Sequence, residues 1–387
     1  MFVYLDNNAT TKVAPEVLEE MLPFFGDEFG NPSSMYSFAD LPAKAVERAR
    51  VRVANFLNAT YPDEIIFTSC GSESDSTAIW GTLQGLRSER KEVIISDLEH
   101  PAIFNLRKPL EARGYTVKIL PSDPNGLIQP AALKDAISDK TALVSVMFAN
   151  NETGNIMDIA TLTEIAHAHG ALMHTDAVQA AGKIPLDVQK LPVDALSISG
   201  HKIHAPKGVA ALYLKRGTPF RSFLAGGHQE RGRRAGTENV PYIAGLGKAC
   251  ELAQNNLSYE DTEIRRLRDK LEKGLLQIPY SYLNSNQSSR TPNTTNISFE
   301  FIEGEAILLS MSDQGICAST GSACSSESLE PSHVLLAQGV PRKLAHSAVR
   351  FSLSRYTTEA EIDYTLQAMP SIIARIRSMS PFWHEKQ

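Results

Sequence analysis

The chain has 387 residues, 42% hydrophobic and 21% charged, a balance that excludes a wholly disordered or coiled-coil protein and leaves room for two or three domains at roughly 150 residues each. The net charge of −6 does not call for a nucleic-acid-binding surface, although a local basic patch stays open. No apolar run approaches the ~18 residues of a membrane span, and Met1-Phe-Val-Tyr-Leu-Asp-Asn-Asn8 lacks a basic segment followed by an apolar stretch, so no secretory leader is expected.

From residue 64 onward, short β-rich runs alternate with helical stretches. Strands are expected at 64–69, 92–96, 115–120, 141–148, 171–175, 195–198 and 209–213, and helices at 74–87 and 100–113. The continuous apolar character of these strands suits a sheet covered on both faces, and the alternation predicts an α/β fold with a mainly parallel sheet. Gly26–Pro32 reads as an ordered loop with turn and cap chemistry. Beyond about residue 255 the texture changes to a charged amphipathic helix at 261–277, a polar loop at 285–292, strands at 295–301 and 349–354, and helices starting near 305 and 358. This predicts a smaller α+β domain. The boundaries drawn are a large domain at 14–257 and a small one made of 1–13 and 258–387.

Several residues at strand ends could carry chemistry. Asp176 ends one apolar run, with Gln179 three residues on, and Lys202 follows another in Ser199-Gly-His201-Lys202. Singly, these are an ordinary helix cap and a surface lysine. Together they match pyridoxal phosphate, which needs a lysine for its Schiff base and an acidic partner for its ring nitrogen. Cys70-Gly71-Ser72 joins a strand to a helix, either as simple capping or as a phosphate cradle. No GxxxxGK[ST] motif exists, and Gly245-Leu-Gly247 lacks a third glycine, so nucleotide loops are not supported.

His100 is either a loop histidine or a flat ring that stacks on a planar cofactor and shuttles protons. Asn150 and Asn151 are turn formers or ligand contacts. The four cysteines, Cys70, Cys250, Cys317 and Cys324, form no C-x-x-C pair, so neither a disulfide framework nor a zinc ribbon is expected, and the reading is a reducing cytoplasm. Cys324 sits in a Gly/Ser-rich run, either as an incidental thiol in a turn or as an exposed nucleophile. Arg350, inside a strand, suits a bidentate carboxylate clamp. His167/His169 and His201/His204 lack a third ligand, so no metal site is expected.

In this order, Tyr4-Leu-Asp-Asn-Asn-Ala-Thr-Thr11, Gly30-Asn-Pro-Ser-Ser34, Glu99-His-Pro101, Ala149-Asn-Asn-Glu-Thr-Gly154, His174-Thr-Asp-Ala-Val-Gln179, Ser199-Gly-His-Lys202, Arg231-Gly-Arg-Arg-Ala-Gly-Thr237, Gly321-Ser-Ala-Cys324 and Arg350-Phe-Ser-Leu-Ser354 resemble the cysteine desulfurases, a branch of the class V aminotransferase-like, fold-type I pyridoxal phosphate enzymes. Cys70-Gly71, Gly227-His-Gln-Glu-Arg231 and Ser380-Pro-Phe-Trp383 look most like the nitrogen-fixation type.

The resemblance implies that Lys202 holds pyridoxal 5′-phosphate, Asp176 pairs its ring nitrogen, Gln179 bonds its ring hydroxyl oxygen and His100 stacks on it. It implies Gly71, Ser72, Ser199 and His201 as phosphate ligands, and Thr237 reaching the phosphate of the neighbouring subunit in a homodimer. Asn151 and Arg350 would hold the carboxylate of L-cysteine. Cys324 would collect its sulfur as a persulfide, releasing alanine, for an iron–sulfur scaffold protein and in all expectation for nitrogenase. Position 72 is Ser where Thr is common, and the hydroxyl survives. The competing readings are another pyridoxal enzyme on the same scaffold, such as an aminotransferase or a selenocysteine lyase, and a non-catalytic scaffold.

Overall fold

The computed structural model describes residues 1–320 and 330–383. Twelve strands are numbered here in chain order: β1 Val3–Tyr4, β2 Ile65–Thr68, β3 Glu92–Ser96, β4 Thr116–Leu120, β5 Thr141–Ser145, β6 Leu172–Asp176, β7 Ala195–Ser199, β8 Ala210–Leu214, β9 Ser281–Leu283, β10 Thr294–Phe299, β11 Ile316–Cys317 and β12 Ala348–Ser352. The helices of ten residues or more are α1 Asp40–Leu57, α2 Gly71–Gly85, α3 Ile159–Ala168, α4 Val240–Asn255, α5 Arg265–Leu275, α6 Gly304–Asp313 and α7 Glu359–Met379.

Seven strands form one sheet in the order β2-β8-β7-β6-β5-β3-β4. Only β8 runs against its neighbours, pairing Ser199 with Ala210 on one side and Thr68 with Ala210 on the other. The remaining pairs are parallel. Every residue of β2, β5, β7 and β8 is buried, as continuous apolar runs covered on both faces require. With these directions, β2, β3, β5, β6 and β7 all end on one edge of the sheet. In open α/β sheets that edge is where ligands bind.

Two expectations are corrected. The strand foreseen at 141–148 stops at Ser145; Val146–Ala149 continues buried alongside β6, with Val146 N–H donating to His174 O at 3.2 Å and Phe148 N–H to Asp176 O at 2.8 Å, and bridges from Ala149 to Ile156. The helix foreseen at 100–113 is two short pieces, Pro101–Phe104 and Arg107–Glu111, with the first opening at Pro101, whose fixed φ suits a first helical turn.

Apolar packing separates along the chain. One large cluster runs from Ala14 to Ala253 with Val334 added. A second combines Val3 and Leu5 with Ile264 through Ile376. It lies under the three-stranded antiparallel sheet β12-β10-β9 and the parallel pair β1-β11. In α5, Leu267, Leu271 and Leu275 are buried at the i, i+4 spacing of one helical face. Among the described residues, no helix is long and apolar enough to cross a membrane.

Candidate functional site

At the carboxyl edge of the large sheet lies a cavity of about 390 Å³, lined among others by Asn8, Ala9, Cys70, Gly71, Ser72, Asp75, His100, Asn151, Glu152, Asp176, Gln179, Ser199, His201, Lys202, His333 and Arg350. Each strand end delivers a part. The turn after β2 opens α2 at Gly71, and Cys70 offers no side-chain cap, so the first N–H groups and the positive end of this 15-residue helix are left for an anion. Gly71 keeps this approach close. A Cβ would meet Val178 Cγ2 at 3.2 Å and Ser199 Cβ at 3.6 Å. Ser199, the last residue of β7, keeps its hydroxyl buried and without a hydrogen-bond partner among the described residues. A phosphate would satisfy both features.

Asp176 closes β6, buried, and its Oδ1 accepts from the Val178 N–H at 2.8 Å. Burial pushes its carboxyl up to about 6, against the opposing pull of that N–H and of Lys202. Asp75, one helical turn into α2, lines the same wall and is also pushed up, by burial and then by Asp176. A cationic ring nitrogen set against Asp176 would relieve this cost.

Lys202 ends a short turn after β7, where its Nζ donates to the carbonyls of Asn8 at 2.6 Å and Ala9 at 2.8 Å. The same N-terminal stretch is latched along the lysine turn. Thr11 N–H donates to the His201 carbonyl at 2.9 Å, and His204 N–H donates to Thr11 Oγ1 at 2.9 Å. Gln179 Nε2 donates to Asn8 O at 3.1 Å. These groups hold the lysine, the acid and the phosphate cradle around one space, the donor set that pyridoxal phosphate requires.

His100 caps the short helix Pro101–Phe104, with Nδ1 accepting from Ala102 N–H at 3.1 Å. Burial, then the charges of Lys202 and His333, push it down to about 4, so the ring is neutral at physiological pH. Of the two asparagines, Asn150 is the turn former, its Oδ1 accepting from the N–H groups of Glu152 and Thr153. Asn151 lines the cavity. Arg350 reaches in from β12. Its Nη2 donates to Asp6 Oδ1 at 2.6 Å and its Nη1 to Asn151 O at 3.0 Å.

Ten of the twelve sequence-derived site residues thus share one cavity. Thr237 does not. It lines a separate hollow of about 150 Å³ with Thr68, Ser69 and Arg234, on a loop tied to α2 by Arg234 and Glu73 at 2.7 Å. Cys324 lies outside the described residues. Sequence reasoning assigned no role to Asn8, Ala9, Asp75, Glu152 or His333. Asn8 and Ala9 fall inside the quoted Tyr4–Thr11 motif, which was the available signal; Asp75 and His333 had none beyond their residue type.

The class-V aminotransferase family model matches residues 3–365. The chain is 52% identical over 382 residues to a cysteine desulfurase NifS of Azotobacter vinelandii, covering 98% of this chain and 95% of that protein. Among solved structures, a NifS-like protein superposes with a TM-score of 0.91 at 38% identity, covering 97% of this chain and all of the other. SspA in complex with cysteine gives 0.82 at 34% identity, covering 92% of this chain and all of the other.

Proposed function

Because the chain belongs to the class-V aminotransferase family, we propose that it is a pyridoxal 5′-phosphate-dependent cysteine desulfurase, converting L-cysteine to L-alanine and leaving the sulfur on Cys324 as a persulfide. The observation that carries the proposal is the convergence of Lys202, Asp176, His100, Ser199 and Arg350 on one cavity, in a chain that matches desulfurases along nearly its whole length.

Bound pyridoxal phosphate supplies an aldehyde for an amino group and an electron-poor ring that accepts the electrons left at Cα. The residues do the rest. Gly71, Ser72, Ser199 and His201 would hold the phosphate, Asp176 would pair with the ring nitrogen and Gln179 with the ring hydroxyl oxygen, and the neutral His100 would stack on the ring. Lys202 would carry the cofactor, and its free amine is placed to move the Cα proton of the substrate. Arg350, oriented by Asp6 and the Asn151 carbonyl, clamps the substrate carboxylate together with Asn151.

Residues 14–257 act as the cofactor-binding domain, and 1–13 with 258–387 as the smaller one that carries Arg350 and Cys324. The unit is a homodimer in which Thr237 reaches the phosphate in a second copy. Its place in a hollow separate from its own chain's cavity supports this, as do the exposed apolar side chains of Leu22, Phe25, Phe29, Met35 and Leu41. An iron–sulfur scaffold protein takes the persulfide in the cytoplasm, and the similarity to a cysteine desulfurase NifS supports a service to nitrogenase.

The test is incubation with L-cysteine under single turnover, followed by alanine quantification and peptide mass analysis. One added sulfur on the Cys324 peptide is expected, and none on any peptide in Cys324→Ala, which still binds cofactor. Alanine and sulfide release at the normal rate by Cys324→Ala would remove that thiol from the reaction. A preparation without a borohydride-sensitive visible band would sink the cofactor assignment.

A further inference from the structure

The overall conversion leaves a proton to be moved. L-cysteine plus the Cys324 thiol gives alanine plus a Cys324–S–SH persulfide. The Cβ–S bond breaks and an S–S bond forms; the carbon is reduced, the Cys324 sulfur oxidised, and no outside oxidant is needed. Of the two thiol protons at the start, one stays on the persulfide and the other must finish on Cβ of alanine. Some group has to accept it in between.

His100 is badly placed for that. Its Nδ1 already accepts the Ala102 N–H, so the neutral ring carries its proton on Nε2 and presents a donor to the cavity. His333, on the same cavity wall, has the opposite arrangement. Its Nε2 donates to the Glu99 carbonyl at 3.1 Å, which leaves Nδ1 with the lone pair and with no partner among the described residues.

The ring is held firmly. It lies 5.3 Å from the Phe104 ring. The preceding residue, Ser332, caps the short helix His333–Ala337 through Leu335 N–H at 3.1 Å and donates to the buried Glu152 carboxylate at 2.5 Å. The charged or titratable groups around it are Asp97, Glu99 and His100 from the β3 side, Glu152 from the β5 side and Arg350 from β12.

We propose that His333 is a further catalytic residue, whose Nδ1 accepts a thiol proton during sulfur transfer and returns it to the carbon that the sulfur leaves. This rests on the desulfurase reading above. His100, whose Nδ1 is taken up by Ala102 N–H, presents a donor to the cavity, while His333 both takes up and gives back the one proton that the conversion moves.

The test compares holoenzyme carrying His333→Ala or His333→Gln with the wild type. The glutamine amide can still donate to the Glu99 carbonyl but cannot accept and return a proton as imidazole does. Both variants are expected to keep the cofactor band and melting temperature of the wild type, yet to form the persulfide about 100-fold more slowly in a single turnover, the scale of lost general acid–base catalysis. Both should lose the acidic limb of the pH–rate profile, and added imidazole should restore His333→Ala in part. A wild-type rate in His333→Gln would show that the ring only pins its segment. A slow His333→Gln with an unchanged pH limb, together with no imidazole rescue of His333→Ala, would equally overturn the proposal. Should His333→Ala fail to fold, His333→Gln alone decides. Absence of any persulfide in the wild type would instead bring down the desulfurase reading, and this inference with it.

Discussion

Five strand ends of the seven-stranded sheet deliver the lysine, the acid, the phosphate cradle, the imidazole and one asparagine, each within six residues of where its strand stops. The three-stranded sheet instead delivers Arg350 from the middle of β12, opposite Asn296 in register. It points that arginine at Asp6, 344 residues away in the chain. The first region is positioned by local geometry: a strand fixes where its end lies, and the next few residues are aimed by it. The second is positioned only by long-range packing, between the small core and an N-terminal segment that crosses to it. A site built this way has a stiff half for the cofactor and a half for the substrate that depends on distant parts of the chain staying in register.

The comparison is broken most directly at Lys202. Lys202→Ala should lower multiple-turnover alanine production by about 10⁴-fold, the upper range of general acid–base catalysis, with an unchanged melting temperature because the strand ends hold without it. A parallel loss of stability would show the stiff half to be less independent than argued.

Next is the buried pair Arg50–Glu230, at 2.8 Å, whose carboxylate also accepts the Phe67 N–H of β2. Glu230 and Arg231 both hold left-handed backbone, with φ of 50° and 58°, so this pair secures the strained loop that leads to Thr237. Arg50→Ala, by leaving Glu230 buried and unpaired, should cost about 3–5 kcal/mol, read from urea midpoints. A change below about 1 kcal/mol would mean that solvent reaches the carboxylate.

Arg350→Ala should weaken L-cysteine binding by about 2–3 kcal/mol, the low end for truncating one partner of a buried charge pair, in a spectral titration of the Cys324→Ala holoenzyme. An unaltered titration would count against the clamp.

The last effect is spread over pH and is the smallest per unit. His174, fully buried between Ser145 Oγ at 2.8 Å and Ser197 Oγ at 3.0 Å, is pushed down to about 3 by burial. Its folded value is below the unfolded one, near 6.5. The unfolded chain therefore binds a proton first. The stability is present above pH 6.5 and is lost progressively as pH falls toward 3, at about 1.4 kcal/mol per pH unit. Denaturation midpoints between pH 4 and 7 should show a shallower slope in His174→Gln. Equal slopes would mean that His174 is protonated in the native state.

What could be read from the sequence follows the same division. The strands of the large sheet were legible as mostly apolar runs, and Asp176 and Lys202 because they sit at or just past the ends of two of them, whereas the short strands β1, β9 and β11 were not foreseen. The long helices α1 and α4 were not singled out. They pack on each other with small residues at the closest approach, where a Cβ on Gly247 would come within 2.6 Å of Ala49 Cα; one on Gly245 would come within 2.7 Å of Met21 Sδ in the helix Pro15–Met21. The two glycines first weighed as a nucleotide loop are close-packing positions between helices. Arg350 could be nominated by type, but its partner Asp6 could not, because nothing local relates the two. The quoted Tyr4–Thr11 motif marked the N-terminal stretch as special without saying that its backbone carbonyls, rather than its side chains, would hold the lysine.

That stretch threads every part of the site on a single strand of chain. Val3 pairs with Ile316, Asp6 bears on the guanidinium, Asn8 is bonded to Gln179, Thr294 and Asn293, and Thr11 closes on the lysine turn. Loosening this stretch from Val3 toward Thr11 would therefore undo the sheets' shared fastening one stitch at a time. It would slacken the small core first, then the arginine, and the amine last, so a frayed stretch disarms this catalyst well before it melts.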